Sequence, residues 1–183
     1  TIESIDAVKM HGEQAIALTD AAIATTDDAD LKDALTVEKT KFAAYLDAFA
    51  QMMKAQNKAN RAISSLQGTG NRIERDLSAL MVTAYRQENT AAAYFAGQTL
   101  RAVMLARLSV NQYLTDNMES QYERAQREWD GMDANVHDLK AALISSSDRN
   151  QLDSIQAAGA DYMKSFASAH AAIQTRNSLI GDT

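Results

Sequence analysis

The stretch ANRAISSLQGTGNRIERDLSALMVTA, residues 59–84, decides the fold because its apolar residues recur at alternating spacings of three and four. That is the heptad period of an α-helix packed along one face. The same phase runs back to Leu35 and is kept through Gly68 and Gly70, so it predicts one continuous helix over residues 28–87. Two glycines cost about 2 kcal/mol of helix propensity but need not stop a packed helix. The stripe consists of Leu35, Phe42, Tyr45, Phe49, Met52, Ala59, Ile63, Leu66, Ile73, Leu77, Leu80 and Ala84, and only Glu38, Gln56 and Gly70 interrupt it.

The composition agrees with a chain made of long helices. Proline, the commonest helix breaker, is absent from all 183 residues, and cysteine is absent too, which excludes disulfides and thiolate chemistry. A net charge of −6 argues against nucleic acid as a partner, because affinity for phosphate backbones comes from clustered lysine and arginine. No window approaches the ~20 apolar residues of a membrane span. Apolar stripes reach both ends of the sequence, so we expect it to be cut from a longer protein.

A second long helix is predicted over residues 91–144. Its phase is new, because the earlier heptad is lost around residues 86–90, where Asn89 or Thr90 can cap a helix. One additional spacing of four after Met118 shifts the stripe, which is typical of a stutter that unwinds a supercoil without ending the helix. The stripe consists of Ala93, Gly97, Leu100, Met104, Arg107, Asn111, Leu114 and Met118, then Tyr122, Ala125, Trp129, Met132, Val136, Leu139 and Leu143.

Two outer helices and an internal repeat complete the pattern. The first helix covers roughly residues 2–24, and the last follows a polar turn at residues 145–148 and keeps its stripe to Ile180. Residues 42–63 align with residues 159–180, and each copy follows a helix and a polar turn. The Tyr-x₃-Phe and the asparagine that the copies share go beyond what two heptad stripes have in common by coincidence.

These elements predict an all-α fold, an elongated antiparallel bundle of two stacked four-helix-type modules that share the two long helices. Residues 1–66 and 118–183 would form a complete module, with the outer helices packed beside halves of the long ones. Residues 67–117 would form a partial module, because the other halves of the long helices have only each other as neighbours. Two helix segments beyond the given sequence would be needed to complete it.

Arg107 and Asn111 occupy consecutive positions of the second long stripe. Antiparallel pairing places them opposite residues 68–73, where glycines leave room. A guanidinium inside a bundle needs a partner, and a carboxylate that accepts two hydrogen bonds is the natural one. One interpretation is therefore a site for the carboxylate of a ligand. The other is an arginine satisfied within the protein by Glu74, Asp76 or a backbone carbonyl, or a polar layer that fixes the register.

Arg176 interrupts the last stripe where the other copy of the repeat has Ala59, and Thr175 precedes it. Specialisation of one copy would produce this difference, and an arginine that snorkels at an interface is the other interpretation. Arg101 lies one residue off the second stripe, where it either reaches a pocket or is solvated. Tyr162 is either a core residue or lines a pocket with its hydroxyl. The candidate ligand-binding residues are Arg107, Asn111, Arg176, Arg101, Thr175 and Tyr162.

Catalytic and metal-binding motifs are missing from the sequence. The histidines His11, His137 and His170 have no second ligand at metal-binding spacing. Residues 68–70, GTG, lack the lysine and the strand of a phosphate-binding loop, and the acidic run at residues 27–30 does not follow the calcium-loop pattern. We therefore expect a non-enzymatic domain that holds neither a metal nor another cofactor.

Three segments resemble the helical bimodular (HBM) sensor domains of bacterial chemoreceptors and sensor histidine kinases. They are residues 105–114, LARLSVNQYL, the pair Tyr162 and Phe166, and residues 176–180, RNSLI. Members of that family consist of two stacked four-helix modules between two transmembrane helices. The resemblance implies periplasmic binding of a small ligand, organic acids above all, to control a cytoplasmic kinase. It also implies that the complete module is distal from the membrane and the partial one proximal.

Two functions of different classes are consistent with the sequence. The first is a periplasmic sensor domain of an inner-membrane receptor, which binds a small organic or aromatic acid and forms a homodimer in the full receptor. Binding would shift its long helices and so signal to the membrane. The second is a ligand-free structural or interaction module, such as a coiled-coil adaptor. An adaptor should have its polar layers satisfied within the protein, whereas a sensor should leave arginines facing a cavity.

Overall fold

The computed structural model of the chain describes residues 2–181, and these residues form six α-helices and no strand. The prediction of an all-α helical bundle is confirmed. Within the described range, none of the helices combines the length and the apolar character that crossing a bilayer requires. In chain order the helices are α1 (Ile2–Thr25), α2 (Ala29–Arg86), α3 (Thr90–Asp116), α4 (Glu119–Asp130), α5 (Asp133–Ala142) and α6 (Ser146–Gly181).

α2 is a single helix of 58 residues, as its unbroken heptad phase predicts. Its second half has a buried stripe at the predicted spacing, and Leu77 and Leu80 are fully buried. Burial of one such leucine contributes roughly 1.5–3 kcal/mol, which offsets the propensity cost of Gly68 and Gly70. The buried stripe consists of Ala59, Leu66, Gly70, Ile73, Leu77, Leu80 and Ala84.

The predicted second long helix over residues 91–144 is wrong. α3 ends early, where Asn117 takes a left-handed conformation with φ of 58° and its N–H bonds the Tyr113 carbonyl at 2.7 Å. Met118 is extended, and α4 then folds back so that the ring of Tyr122 packs on that of Tyr113. Asparagine tolerates the left-handed region that ends helices better than most residues do. The four-residue shift in the stripe therefore marks a turn and not a stutter.

Residues 58–173 form a compact unit, a four-helix bundle. Its arms are the second half of α2, then α3, then α4 with α5, and then most of α6; the short connections make successive arms antiparallel. Arg107 of α3 bonds Glu74 of α2, and Trp129 of α4 stacks on Tyr162 of α6. The third arm contributes Ala125, Met132, Val136, Leu139 and Leu143 to the core, on the predicted stripe.

Asn89 ties two turns together at one end of this bundle. Its side-chain oxygen accepts the N–H of Ala92 at 3.1 Å, so the predicted cap of α3 is confirmed for this residue. Its Nδ2 donates to the carbonyl of Ala142 at 2.8 Å, in the last turn of α5. One side chain thereby satisfies a free donor of one helix and a free acceptor of another.

The other residues that the structure describes, 2–57 and 174–181, form a second unit. In it α1 packs against the first half of α2, where Gly12 comes close to the Leu46 side chain. Its apolar residues are poorly covered, and Tyr45 is 52% exposed. An open apolar groove between the two helices is lined by Ala7, Val8, His11, Gly12, Ala15, Phe42 and Tyr45.

The two units divide the chain at other residues than the predicted modules do. The sequence predicts a complete module from residues 1–66 with 118–183 and a partial one from 67–117, whereas the four-helix bundle comprises residues 58–173. The turn at Asn117 is the reason, because it brings α4 and α5 back beside α3. The region predicted to be half-built therefore has its neighbours within the chain.

The two copies of the predicted repeat lie in different surroundings. Tyr45 is largely exposed, whereas its counterpart Tyr162 is only 3% exposed. Phe49 is half-buried, whereas its counterpart Phe166 is fully buried. The repeat stays a prediction from sequence, since equivalent positions do not have equivalent packing.

Candidate functional site

The predicted site residues are divided between the two units. Arg101, Arg107, Asn111 and Tyr162 belong to the four-helix unit, and Thr175 and Arg176 belong to the other. Within the four-helix unit, Arg107 and Tyr162 lie side by side above Gly70. Arg101 and Asn111 are exposed on α3, so neither borders a closed site. The candidate site is therefore built on Arg107.

The buried stripe of α3 begins one residue before the predicted stripe. The prediction followed the larger residues Leu100 and Met104, whereas the residues that face the core are mostly small. Small side chains let helices approach closely, and the larger ones then flank the contact. Arg107 therefore borders the core, and the expectation that it and Asn111 lie on the stripe is wrong. The buried stripe consists of Ala92, Ala96, Thr99, Val103, Ala106, Val110 and Tyr113.

Arg107 is held by three groups of α2. Its Nη1 donates to the carbonyl of Gly70 at 3.2 Å and to the carboxylate of Glu74, and its Nη2 donates to the side-chain oxygen of Asn71 at 2.7 Å. The interpretation that Glu74 and a backbone carbonyl satisfy this arginine within the protein is confirmed. The Arg107 side chain is 19% exposed and that of Glu74 is 42% exposed, so water reaches the ion pair from the Glu74 side.

Gly70 makes the room that Arg107 occupies. A Cβ at this position would lie 3.0 Å from Nε of Arg107 and 3.1 Å from Cε2 of Tyr162, which is closer than ordinary van der Waals contact. The expectation that glycines of α2 leave space beside the arginine is confirmed for Gly70. At Gly68 an added Cβ would meet nothing within 4 Å, so this residue makes no room for a side chain.

An aromatic stack extends this layer from α6 to α4. Tyr162 stacks on Trp129 with ring centroids 5.5 Å apart and an angle of 15° between the planes. The Trp129 ring covers Gly159, where a Cβ would lie 2.7 Å from Cζ2. Burial raises the pKa of Tyr162 to about 12, and the positive charge of Arg107 opposes that rise. Tyr162 is thus a core residue whose phenol is neutral at physiological pH.

A second aromatic cluster was not found from the sequence. The rings of Tyr113, Tyr122, Phe166 and His170 pack together, with His170 stacked on Tyr122 at a centroid distance of 3.7 Å. His170 Nε2 lies 2.9 Å from a carboxylate oxygen of Glu119. Burial, assisted by the Glu119 charge, raises the pKa of Tyr122 above its ordinary value. The α3–α4 turn creates the cluster, so a prediction of one continuous helix could not reveal it.

Arg176 donates hydrogen bonds to amide side chains of its own unit. Its Nη1 donates to Oε1 of Gln56 at 2.9 Å, and its Nε and Nη2 donate to Oδ1 of Asn177 at 3.1 and 2.8 Å. Arg176 is half-buried and Thr175 is exposed. These amide contacts orient the guanidinium of Arg176.

The Arg107 guanidinium supplies a positive charge and hydrogen-bond donors, which suit the binding of an anion, whereas the three groups of α2 around it accept hydrogen bonds. Among the residues that the structure describes, no three histidine, aspartate or glutamate side chains are grouped so that they could hold a metal ion. Comparisons with known proteins found no relative: the chain matches no protein-family model, no curated protein and no solved structure. The resemblance to helical bimodular sensor domains therefore stays a prediction from three short segments.

Proposed function

We propose that this chain is the ligand-binding sensor domain of a transmembrane receptor, a chemoreceptor or a sensor histidine kinase, and that it recognises a small carboxylate-containing metabolite. Its role is binding and not catalysis. The observation that supports the proposal most directly is that Arg107 holds a carboxylate, that of Glu74, within the four-helix bundle. Glu74 is the more exposed partner, so the carboxylate of a ligand can take its place.

Exchange of Glu74 for a ligand needs little energy. A partly exposed ion pair contributes about 0–1 kcal/mol, because each partner regains hydration when the pair opens. Arg107 keeps its charge under all physiological conditions and continues to need an anion when Glu74 leaves. Asn71 and the carbonyl of Gly70 hold the guanidinium in place. The guanidinium of Arg107 is therefore oriented before the ligand binds, which lowers the conformational entropy lost on binding.

α2 and α6 suit the transmission of a signal. Both helices include residues of the four-helix unit and residues of the other unit, and α2 carries the Glu74, Asn71 and Gly70 groups that hold Arg107. A change at this site acts directly on the longest helix of the protein. In the full receptor, a homodimer with this domain in the periplasm, such helix shifts of about 1–2 Å would be the signal.

A ligand-free interaction module is the second candidate function. Two observations favour it. The hydrogen bonds of Arg107 are supplied within the protein, as expected of an adaptor. The apolar groove between α1 and α2 leaves Phe42 and Tyr45 exposed, and exposed apolar patches are typical of contacts between proteins.

Thermal-shift measurements with a panel of organic and aromatic acids separate the two candidates. A sensor should be stabilised by one acid, by about 2.7 kcal/mol at a concentration 100 times its Kd. Arg107→Ala should abolish that stabilisation, and the matched variant Arg101→Ala, on the exposed face of the same helix, should keep it. Glu74→Gln should bind the same acid more tightly, because it removes the internal competitor. If no acid stabilises the chain, the sensor proposal fails.

A further inference from the structure

We infer that Trp129 and the turn between α4 and α5 respond to the partner that Arg107 holds, with Tyr162 as the link. The inference rests on the proposed function, because it gives the Arg107 site a conformational output inside the four-helix bundle. It follows from three contacts that join α2 and α3 to α6, α6 to α4, and α4 to the turn at residues 131–132.

The first contact is the space above Gly70, which two side chains share. Nε of Arg107 and a ring carbon of Tyr162 both lie within 3.1 Å of the position that a Cβ of Gly70 would take. Tyr162 is buried, and protein interiors have little spare room for a side chain of that size. When the carboxylate of a ligand replaces that of Glu74 on Nη1, even a small adjustment of the guanidinium changes the space open to the Tyr162 ring.

The second contact is the stack of Tyr162 on Trp129. The two rings are nearly parallel, at an angle of 15°, so a movement of one changes the contact area of the other. The Trp129 ring also lies against Gly159, one turn from Tyr162 on the same helix. The Trp129 ring therefore packs against two parts of α6, the Tyr162 ring and the backbone at Gly159. A shift of Tyr162 changes this packing.

The third contact is in the backbone of Trp129 itself. Its carbonyl accepts the N–H of Met132 at 3.0 Å, a bond between residues three apart, whereas the Gly131 N–H bonds Arg127 four residues back. The helix thus has a tighter turn at Trp129. Bonds between residues four apart resume in α5, where the Val136 N–H donates to the Met132 carbonyl. A bond four residues apart in place of the short one would join α4 and α5. Such tightened turns inside a helical arm are frequent at hinges.

The turn would thus have two hydrogen-bonded arrangements, the observed one and the joined one, and Trp129 belongs to both the turn and the stack. A discrete element with two arrangements is what a switch requires, since packed cores do not deform continuously. A ligand that exchanges with Glu74 would move Tyr162 and so change the packing of the Trp129 ring. The equilibrium between the arrangement with separate α4 and α5 helices and the one in which they are joined would then shift.

Fluorescence tests the inference directly, because Trp129 is the only tryptophan of the chain. In Glu74→Gln, which weakens the hold on Arg107, we expect a red shift of the Trp129 emission and stronger quenching by acrylamide, with an unchanged far-UV circular dichroism spectrum. Glu123→Gln is the matched control. It removes an exposed carboxylate that pairs with Arg127 on the same helix as Trp129, and its emission should equal that of the wild type.

Wild-type emission in a folded Glu74→Gln variant overturns the inference, and so does an equal shift in Glu123→Gln. If Glu74→Gln does not fold, Arg107→Lys takes its place with the same expected shift, because lysine keeps the charge but lacks the planar fork. An acid that stabilises the chain without changing Trp129 emission contradicts the inference and leaves the sensor function intact. A shift in Glu74→Gln, when no acid stabilises the chain, supports the coupling and contradicts the sensor function.

Discussion

Replacement of Gly159 by alanine should destabilise the protein, although alanine is the better helix former. Alanine gains about 0.5–1 kcal/mol over glycine inside a helix. At Gly159, however, the new Cβ would lie 2.7 Å from Cζ2 and 3.3 Å from Cη2 of Trp129. A ring stacked on Tyr162 cannot turn aside freely, and overpacking of this kind costs about 1–3 kcal/mol. We therefore expect a net loss of roughly 1–2 kcal/mol in the free energy of unfolding.

Gly68→Ala is the matched control, because the same change in the interior of α2 meets no atom within 4 Å. It should stabilise the protein by about 0.5–1 kcal/mol. Urea denaturation followed by circular dichroism measures both variants, and Trp129 emission should change only in Gly159→Ala. Equal stabilisation of the two variants would refute the close packing of Trp129 on Gly159.

Two further predictions concern other parts of the four-helix unit. Asn89→Ala should lower the free energy of unfolding by about 1–2 kcal/mol in urea denaturation, since it removes the α3 cap and the bond to the Ala142 carbonyl; Asn89→Asp keeps the cap oxygen and should recover part of the loss. The pKa of Tyr162 is about 12 in the folded protein against 10.0 for an unperturbed tyrosine, so its contribution to stability is complete below pH 10 and is lost as the pH rises through 12. Denaturation midpoints should fall less over this range in Tyr162→Phe than in the wild type, and parallel falls would contradict the burial argument.

The sequence predicted the fold correctly where large apolar residues mark the buried face. Leu66, Ile73, Leu77 and Leu80 of α2 are buried at the predicted spacing, and Leu139 of α5 is buried as predicted. Each of these side chains removes enough apolar surface from water to decide which face of its helix is covered. Glycines inside such a helix then have little influence, and α2 continues through two of them.

The prediction failed where small residues or a single backbone conformation decide the structure. The face of α3 that packs contains Ala92, Ala96 and Ala106, which contribute little to a hydropathy pattern, so larger flanking residues determined the predicted phase. A shift of four residues in a stripe is common to a stutter and to a turn. Only the left-handed conformation of Asn117 distinguishes the turn from a stutter. The preference of asparagine for left-handed positions at helix ends is the one feature of the sequence that indicates the turn.

The predicted stripe of α3 is displaced by one residue, and this displacement changes the role that Arg107 is expected to have. One residue turns a helix by about 100°, which moves Arg107 from the centre of the packed face to its edge. At the centre, an arginine would need a ligand or a buried partner, and loss of that partner would unfold the protein. At the edge it reaches Glu74, whose carboxylate is half in water. An internal carboxylate of this kind lowers the apparent affinity for a ligand by the fraction of time that it occupies Arg107. A ligand site at Arg107 therefore predicts that removal of the Glu74 charge strengthens binding, whereas a purely structural ion pair predicts only a loss of stability.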